Sequence, residues 1–188
     1  MPEGRRGERA IGDAQLALRN VDTPIGDVRI AVSADAVVAV ALPGSASFTE
    51  TCACWLDVHP EAAPAGRRFA DDIAERVRRY FRGEVFALVG LPTSLAVPAA
   101  SRRVLEAVMD IPPGETRAYS DIAHMLGYGR LGARFVGSVN ARNPIPLIIP
   151  CHRVIGRDGS LVGFGGRLQL KAWLLAWEAE NTTARASQ

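Results

Sequence analysis

Cys151 and His152 are neighbours in the pentapeptide Pro150-Cys151-His152-Arg153-Val154. A thiol attacks carbon efficiently only as thiolate, and a nearby base or positive electrostatic environment supplies that form near neutral pH. The pair is therefore a candidate nucleophile with a candidate base beside it. Prolines at 144, 146 and 150 surround the apolar trio Leu147-Ile148-Ile149. That pattern predicts a short, buried, extended strand that presents Cys151 at its end. Pro144 biases Asn143 towards extended geometry. Asn143 is thus at a joint, where its amide either hydrogen-bonds backbone across the bend or is a simple turn residue.

The elements that must hold these residues are mainly helical. In Ser101 to Met109, Val104, Leu105, Val108 and Met109 share one helix face, and Pro112-Pro113-Gly114 blocks continuation. Tyr119 to Leu126 reads as a short helix stopped by Gly127, with His124 a surface or packed residue within it. Leu131 to Arg142 reads as the next helix. Two short helices joined by a glycine-containing turn form a helix-turn-helix pattern, which serves DNA binding in many proteins and plain core packing in others. The glycines between Gly156 and Gly166 suit a loop that brings backbone close to a ligand, or ordinary turns. They lack the strand-then-helix phosphate fingerprint, so no nucleotide cofactor is expected. Arg167 to Glu180 predicts a last helix with Leu170, Trp173, Leu174 and Trp177 along one stripe. Glu178 stands at its edge, to be partnered either by His152 or by Lys171 or Arg167.

The first half has a different character. Gln15 to Asn20, Asp27 to Val32 and Ala36 to Leu42 are short, partly alternating or apolar runs separated by turn residues, as in an antiparallel meander. Phe69, Ile73, Val77, Tyr80 and Phe81 recur at helical spacing among arginines, and Gly83 ends that helix. No catalytic cluster is evident there. With 188 residues, 48% hydrophobic and 22% charged, the chain fits one good-sized domain or two small ones. A formal net charge of +2 means that nucleic-acid binding would need a local basic face. No apolar run approaches the roughly 20 residues of a membrane span, and the charged Met1 to Arg9 stretch does not read as a secretory signal. The three cysteines, Cys52, Cys54 and Cys151, point to free thiols in a reducing, cytoplasmic setting. Cys52, Cys54 and His59 are spaced too tightly for a structural zinc site and have no second ligand pair, so no metal is expected.

The segment Asn143-Pro144-Ile145-Pro146-Leu147-Ile148-Ile149-Pro150-Cys151-His152-Arg153-Val154-Ile155 resembles the active-site signature of O6-alkylguanine-DNA alkyltransferases, also called methylated-DNA–protein-cysteine methyltransferases. The likeness continues through Ile111 to Tyr119, Ala133-Arg134, Val136-Gly137, Gly163 to Gly166 and Leu174 to Glu178, and the opening Asp22 to Gly26 is also similar. The resemblance implies an α/β (α+β) fold. A tail (1–12) precedes a small ribonuclease-H-like sheet-and-helix domain (13–96); a mainly helical DNA-binding and alkyl-acceptor domain (97–180) follows, then a tail (181–188). It implies single-turnover repair of O6-alkylguanine, with O4-alkylthymine as a further substrate left open, in double-stranded DNA and without a cofactor. A monomer is expected, with cooperative binding along DNA left open. Cys151 would accept the alkyl group, His152 would act through water as base, Glu178 would orient His152, and Asn143 would brace the joint. Arg134 would fill the space of a flipped nucleotide and Tyr119 would help rotate it outward. Ala133 and Gly137 would allow close approach to the minor groove. Val154, Phe164 and Gly165, with Tyr119, would line the base pocket.

Phe135 departs from the small residue usual in that family and would wedge, repack into the core or weaken DNA binding. Phe164 replaces a common Tyr, Ala100-Ser101 and Leu105 replace larger residues, and the loop before Arg134 is one residue longer. Three other functions compete. A lesion-binding relative without chemistry would lack the nucleophile, which is present; a Cys-His hydrolase would leave the helix pair unexplained; a DNA-binding regulator would leave the thiol idle.

Overall fold

The computed structural model describes residues 16–44, 64–129 and 131–186. Cys52, Cys54 and His59 lie outside the described residues. Three strands, β1 (Ala17–Val21), β2 (Val28–Val32) and β3 (Val37–Ala41), form an antiparallel meander in the order β1-β2-β3. Ala17 pairs with Val32 and Val21 with Val28; Arg29 pairs with Ala41 and Ile30 with Val40. All five β3 residues are buried, Val37 and Val40 in one cluster and Val38 and Ala39 in another, and the outer edge of the strand is paired as well. Val37 N–H donates to Pro92 O at 2.9 Å, Ser94 N–H to Val37 O at 2.9 Å, and Val40 N–H to Pro144 O at 2.9 Å. The last of these bonds joins the sheet to the proline-rich segment before Cys151.

Helix α1 (Pro64–Tyr80) buries Ala70, Ile73, Ala74, Val77 and Tyr80, a stripe at helical spacing, and leaves its arginines outside. Burying a side chain such as Ile73 contributes roughly 1.5–3 kcal/mol. Helix α2 (Ala99–Met109) is followed by β4 (Arg117–Ala118), α3 (Tyr119–Met125) and α4 (Gly132–Ala141). Gly127, at φ +74°, closes α3 by donating to His124 O, a left-handed conformation that glycine adopts without strain. A 3-10 turn (Cys151–Arg153) leads into β5 (Val154–Ile155), which pairs in parallel with β4. A second 3-10 turn (Phe164–Gly166) precedes α5 (Leu168–Ala186). One hydrophobic cluster runs through both halves, from Ile30 and Ile73 to Leu105, Ile122, Val136, Ile149 and Leu174. No described helix is long and apolar enough to cross a membrane.

Two expectations change. The strand expected at Leu147-Ile148-Ile149 is a tight, buried turn. Its prolines offer no N–H for a ladder, Ile149 N–H folds back to Ile145 O at 2.9 Å, and Leu147 takes φ +73°. A left-handed leucine costs about 1–2 kcal/mol, which burial of its side chain offsets. The last helix does not stop at Glu180 but runs to Ala186, taking in much of the stretch read as a tail. Asn181 and Thr182 donate to the Trp177 and Glu178 carbonyls within it.

Candidate active site and nucleic-acid interface

Asn143 holds the turn before the thiol. Its Nδ2 donates to Ile149 O at 2.8 Å and its Oδ1 accepts from Ile145 N–H at 3.0 Å. The bracing alternative of the sequence is therefore the geometry found. Burial pushes the Cys151 thiol above its ordinary range, while Asn143, Lys171 and Arg167 partly favour the thiolate. Cys151 is thus a protonated nucleophile at rest, and its activation needs a base.

His152 is fully buried, and its Nε2 lies 2.9 Å from Glu178 Oε1. Burial lowers the His152 pKa, and Arg153 and Lys171 add to that, against the opposing pull of Glu178. The imidazole is therefore neutral near pH 7. Glu178 is equally buried. Burial alone would raise its pKa, but hydrogen bonds and charge from His152 and then Arg153 outweigh it, holding the carboxyl well below the usual range. Arg153 grips the carboxylate with both ends of its fork, Nε to Oε2 at 2.8 Å and Nη2 to Oε1 at 2.7 Å, and its Nη1 donates to Ile111 O. Tyr80 donates to Oε1 at 2.7 Å. With donors on both oxygens the carboxylate is an acceptor only, so His152 carries its proton on Nε2. Its Nδ1 is buried without a protein partner and is left as the basic nitrogen.

Lys171 is not the partner of Glu178. Its Nζ donates to Val154 O at 2.6 Å and Val162 O at 2.7 Å, 5.7 Å from the centre of the Tyr119 ring. Arg167 reaches Pro43 O at 3.1 Å and lies 5.3 Å from the centre of the Phe164 ring.

The residues expected to meet DNA gather on an open groove of about 450 Å³ lined by Tyr119, Ala133, Arg134, Gly137, Arg157 and Gly163, among others. Tyr119 lines the groove, and its hydroxyl donates to Val162 O at 3.3 Å; burial, and then any charge that develops on Cys151, push its pKa up. Arg134 is exposed. Val154, Phe164 and Gly165 are not among the groove-lining residues. Val154 is buried beneath Lys171, and Phe164, at φ +58°, packs its ring edge-on to His152 with centroids 6.4 Å apart. Gly165 is exposed beside it at φ +61°.

Phe135 repacks. It stands edge-on to Tyr128 at 5.2 Å, and Arg103 lies 5.7 Å from the Tyr128 ring centre. It is about half a turn of helix away from the face of Ala133 and Gly137. Sequence reasoning left Arg153 and Tyr80 without a role. Arg153 sits inside the quoted signature, where an arginine next to an apolar segment could have prompted the search for a buried acid. Tyr80 is 98 positions from Glu178 and reads as one more core aromatic.

Residues 99–180 match the family described as 6-O-methylguanine DNA methyltransferase, DNA binding domain. A methylated-DNA–protein-cysteine methyltransferase of Mycolicibacterium paratuberculosis is 37% identical over 169 residues, spanning 90% of this chain and 96% of the relative. The chain belongs to the methylated-DNA–protein-cysteine methyltransferase family. Another member, from Mycobacterium leprae, is 35% identical over 85% of this chain and 90% of its own length. The crystal structure of Mycobacterium tuberculosis OGT in complex with DNA is similar with a TM-score of 0.72 and 32% identity, covering 87% of this chain and 93% of that one. A methyltransferase of this family needs a reachable thiol, a base and a DNA-facing surface. In this chain Tyr119 lines the groove, and the buried set holds Cys151 with His152 2.9 Å from Glu178.

Proposed function

We propose that this protein repairs DNA by direct reversal, transferring the alkyl group of O6-alkylguanine in duplex DNA irreversibly to Cys151, once per molecule. The observation that carries the reading is a thiol kept protonated by burial, braced by Asn143, next to a neutral His152 whose Nε2 proton is held by Glu178.

The guanine leaves the stack, because its O6 substituent is poorly placed for attack inside the duplex. Arg134 takes the vacated space, Tyr119 guides the nucleotide outward, and Ala133 and Gly137 let α4 sit close against the minor groove. Backbone at Val154 and Gly165, with the Phe164 ring, bounds the base pocket behind that groove. His152 Nδ1 takes the Cys151 proton through a water molecule. The sulfur forms a bond to the alkyl carbon as the carbon–O6 bond breaks, and the electron pair passes to the purine. The purine takes up one proton in place of the one held by His152, which restores guanine. A thioether is a poor leaving group, so the product is stable and the protein is spent. O4-alkylthymine offers the same electrophilic carbon and is a second substrate by the same chemistry.

All groups of the relay come from one chain, which supports a monomer as the acting unit. A free, single-use thiol suits a reducing, cytoplasmic compartment.

The test is direct. Mixed with a duplex carrying O6-methylguanine, the protein should yield a peptide methylated at Cys151 in mass spectrometry, one methyl per molecule. Cys151→Ala should yield none. Methyl transfer undiminished in that variant, or no methylated Cys151 in the wild type, rejects the proposal.

A further inference from the structure

We propose that Tyr80 is a positioning residue for alkyl transfer: its hydroxyl, delivered from the N-terminal half by α1, fixes the Glu178 carboxylate that in turn fixes His152. The inference rests on the function proposed above for its rate measurement. Glu178 Oε1 is a convergence point, accepting from Tyr80 Oη at 2.7 Å and Arg153 Nη2 at 2.7 Å, with His152 Nε2 at 2.9 Å. A phenylalanine would fill the same core volume. The hydroxyl adds one contact, and that contact is Glu178.

The end of α1 is seated firmly on α5. Trp177 Nε1 donates to Tyr80 O at 3.2 Å, and the Phe81 and Trp173 rings lie 6.2 Å apart. Gly83 passes so close to α5 that a Cβ there would fall 2.6 Å from Asn181 Oδ1. The Tyr80 hydroxyl is thus held in place by its own backbone. Burial first, and then the Glu178 charge, push its pKa well above the ordinary tyrosine value, so it remains a donor at any working pH.

The charged and titratable groups around Glu178 and His152 are Tyr80 from α1, Arg153 and Cys151 from the 3-10 turn, and Lys171 from α5. Removing the Tyr80 hydroxyl leaves more of the carboxylate charge to be felt by His152. Imidazolium then becomes easier to form, and Oε1 keeps only Arg153 and His152 to hold it.

Tyr80→Phe in the full chain is the experiment. Affinity for unmodified duplex should equal wild type. The methyl-transfer rate at pH 7 should fall by roughly fivefold, a fraction of the 10²–10⁴ attributed to a whole acid–base group. The His152 titration followed by NMR should move to higher pH. In a Glu178→Gln background the same change should slow transfer no further. Tyr80→Leu, which also removes the ring, should additionally lower thermal stability, separating packing from positioning. An unmoved His152 titration, or a full fivefold loss persisting in the Glu178→Gln background, overturns the proposal. If the wild type transfers no methyl to Cys151, the function proposed above fails instead, and the His152 titration still decides the role of Tyr80.

Discussion

On α1, Arg76 meets Asp72 at 2.9 Å and Arg78 meets Glu75 at 3.3 Å, with all four side chains more than a third exposed. In the core, Arg153 meets Glu178 at 2.7 Å with side chains 5% and 0% exposed. The partners are chemically alike, yet the surroundings reverse their importance. Water already solvates the α1 charges, so pairing them gains little. Removing Glu178 would strand Arg153 in a site with few alternative acceptors, so the buried pair is obligatory once either member is present. The core pair is also aimed: it holds an ionised oxygen against His152, whereas the α1 pairs are aimed at nothing.

The largest effect should come from breaking the buried pair. Glu178→Gln keeps the shape but removes the charge that matches Arg153 and orders His152. Chemical denaturation should show a loss of about 3 kcal/mol, the scale for breaking a buried pair. Single-turnover transfer should slow by about a hundredfold, the lower end for losing an acid–base partner. A variant with wild-type stability and rate would place this pair in the same class as those on α1.

Acid should separate the two regions next. Glu178 is held below its unfolded value, so the stability it contributes is complete above about pH 4.3 and is lost as pH falls towards its folded value. His152 is also held low, so the unfolded chain binds its proton first and stability declines from about pH 6.5 downward. Transfer should fall over the lower part of this range, as the base becomes protonated. Denaturation midpoints measured from about pH 8 to about pH 2 check the sign. Glu178→Gln should flatten the steeper limb below about pH 4.3.

Much of this was legible beforehand, and the rest was hidden for physical reasons. The three strands follow from short alternating or apolar runs bounded by turns, and α1 and α2 from stripes at helical spacing. Cys151, His152 and Asn143 are close in sequence, so their meeting is a local matter. The turn at Leu147 is hidden because an apolar trio between prolines has the composition of a strand; only the absence of donor N–H groups on Pro144, Pro146 and Pro150 argues otherwise. Tyr80 was invisible as a site residue because its role depends on the docking of α1 against α5, a long-range contact that no periodicity encodes. The outcome at Phe135 was undetermined for the same reason. Its partner Tyr128 lies in the turn between helices, and a pattern read along α4 alone carries no information about it.

Arg134 tests whether exposure alone makes an arginine dispensable. It is as open as those on α1, but it lines the groove with Tyr119 and Gly137. Arg134→Ala should leave the thermal midpoint unchanged and weaken duplex binding roughly tenfold, about the 1–3 kcal/mol expected of one well-placed nucleic-acid contact. Repair should slow along with it. Unchanged binding and repair would mean that another residue occupies the space left by the flipped base.

The smallest effect should be at Arg76. It follows Asp72 by one turn, the favoured order for an acid–base pair on a helix, yet both side chains are solvated and can find other company in water. Arg76→Ala should leave the denaturation midpoint and the transfer rate within error of wild type, at low and at high salt alike. A loss that fades with added salt would show that the α1 arginines form a field rather than isolated pairs. In that case the contrast with Arg153 would be one of degree, because screening acts on exposed charges and spares a pair from which water is excluded.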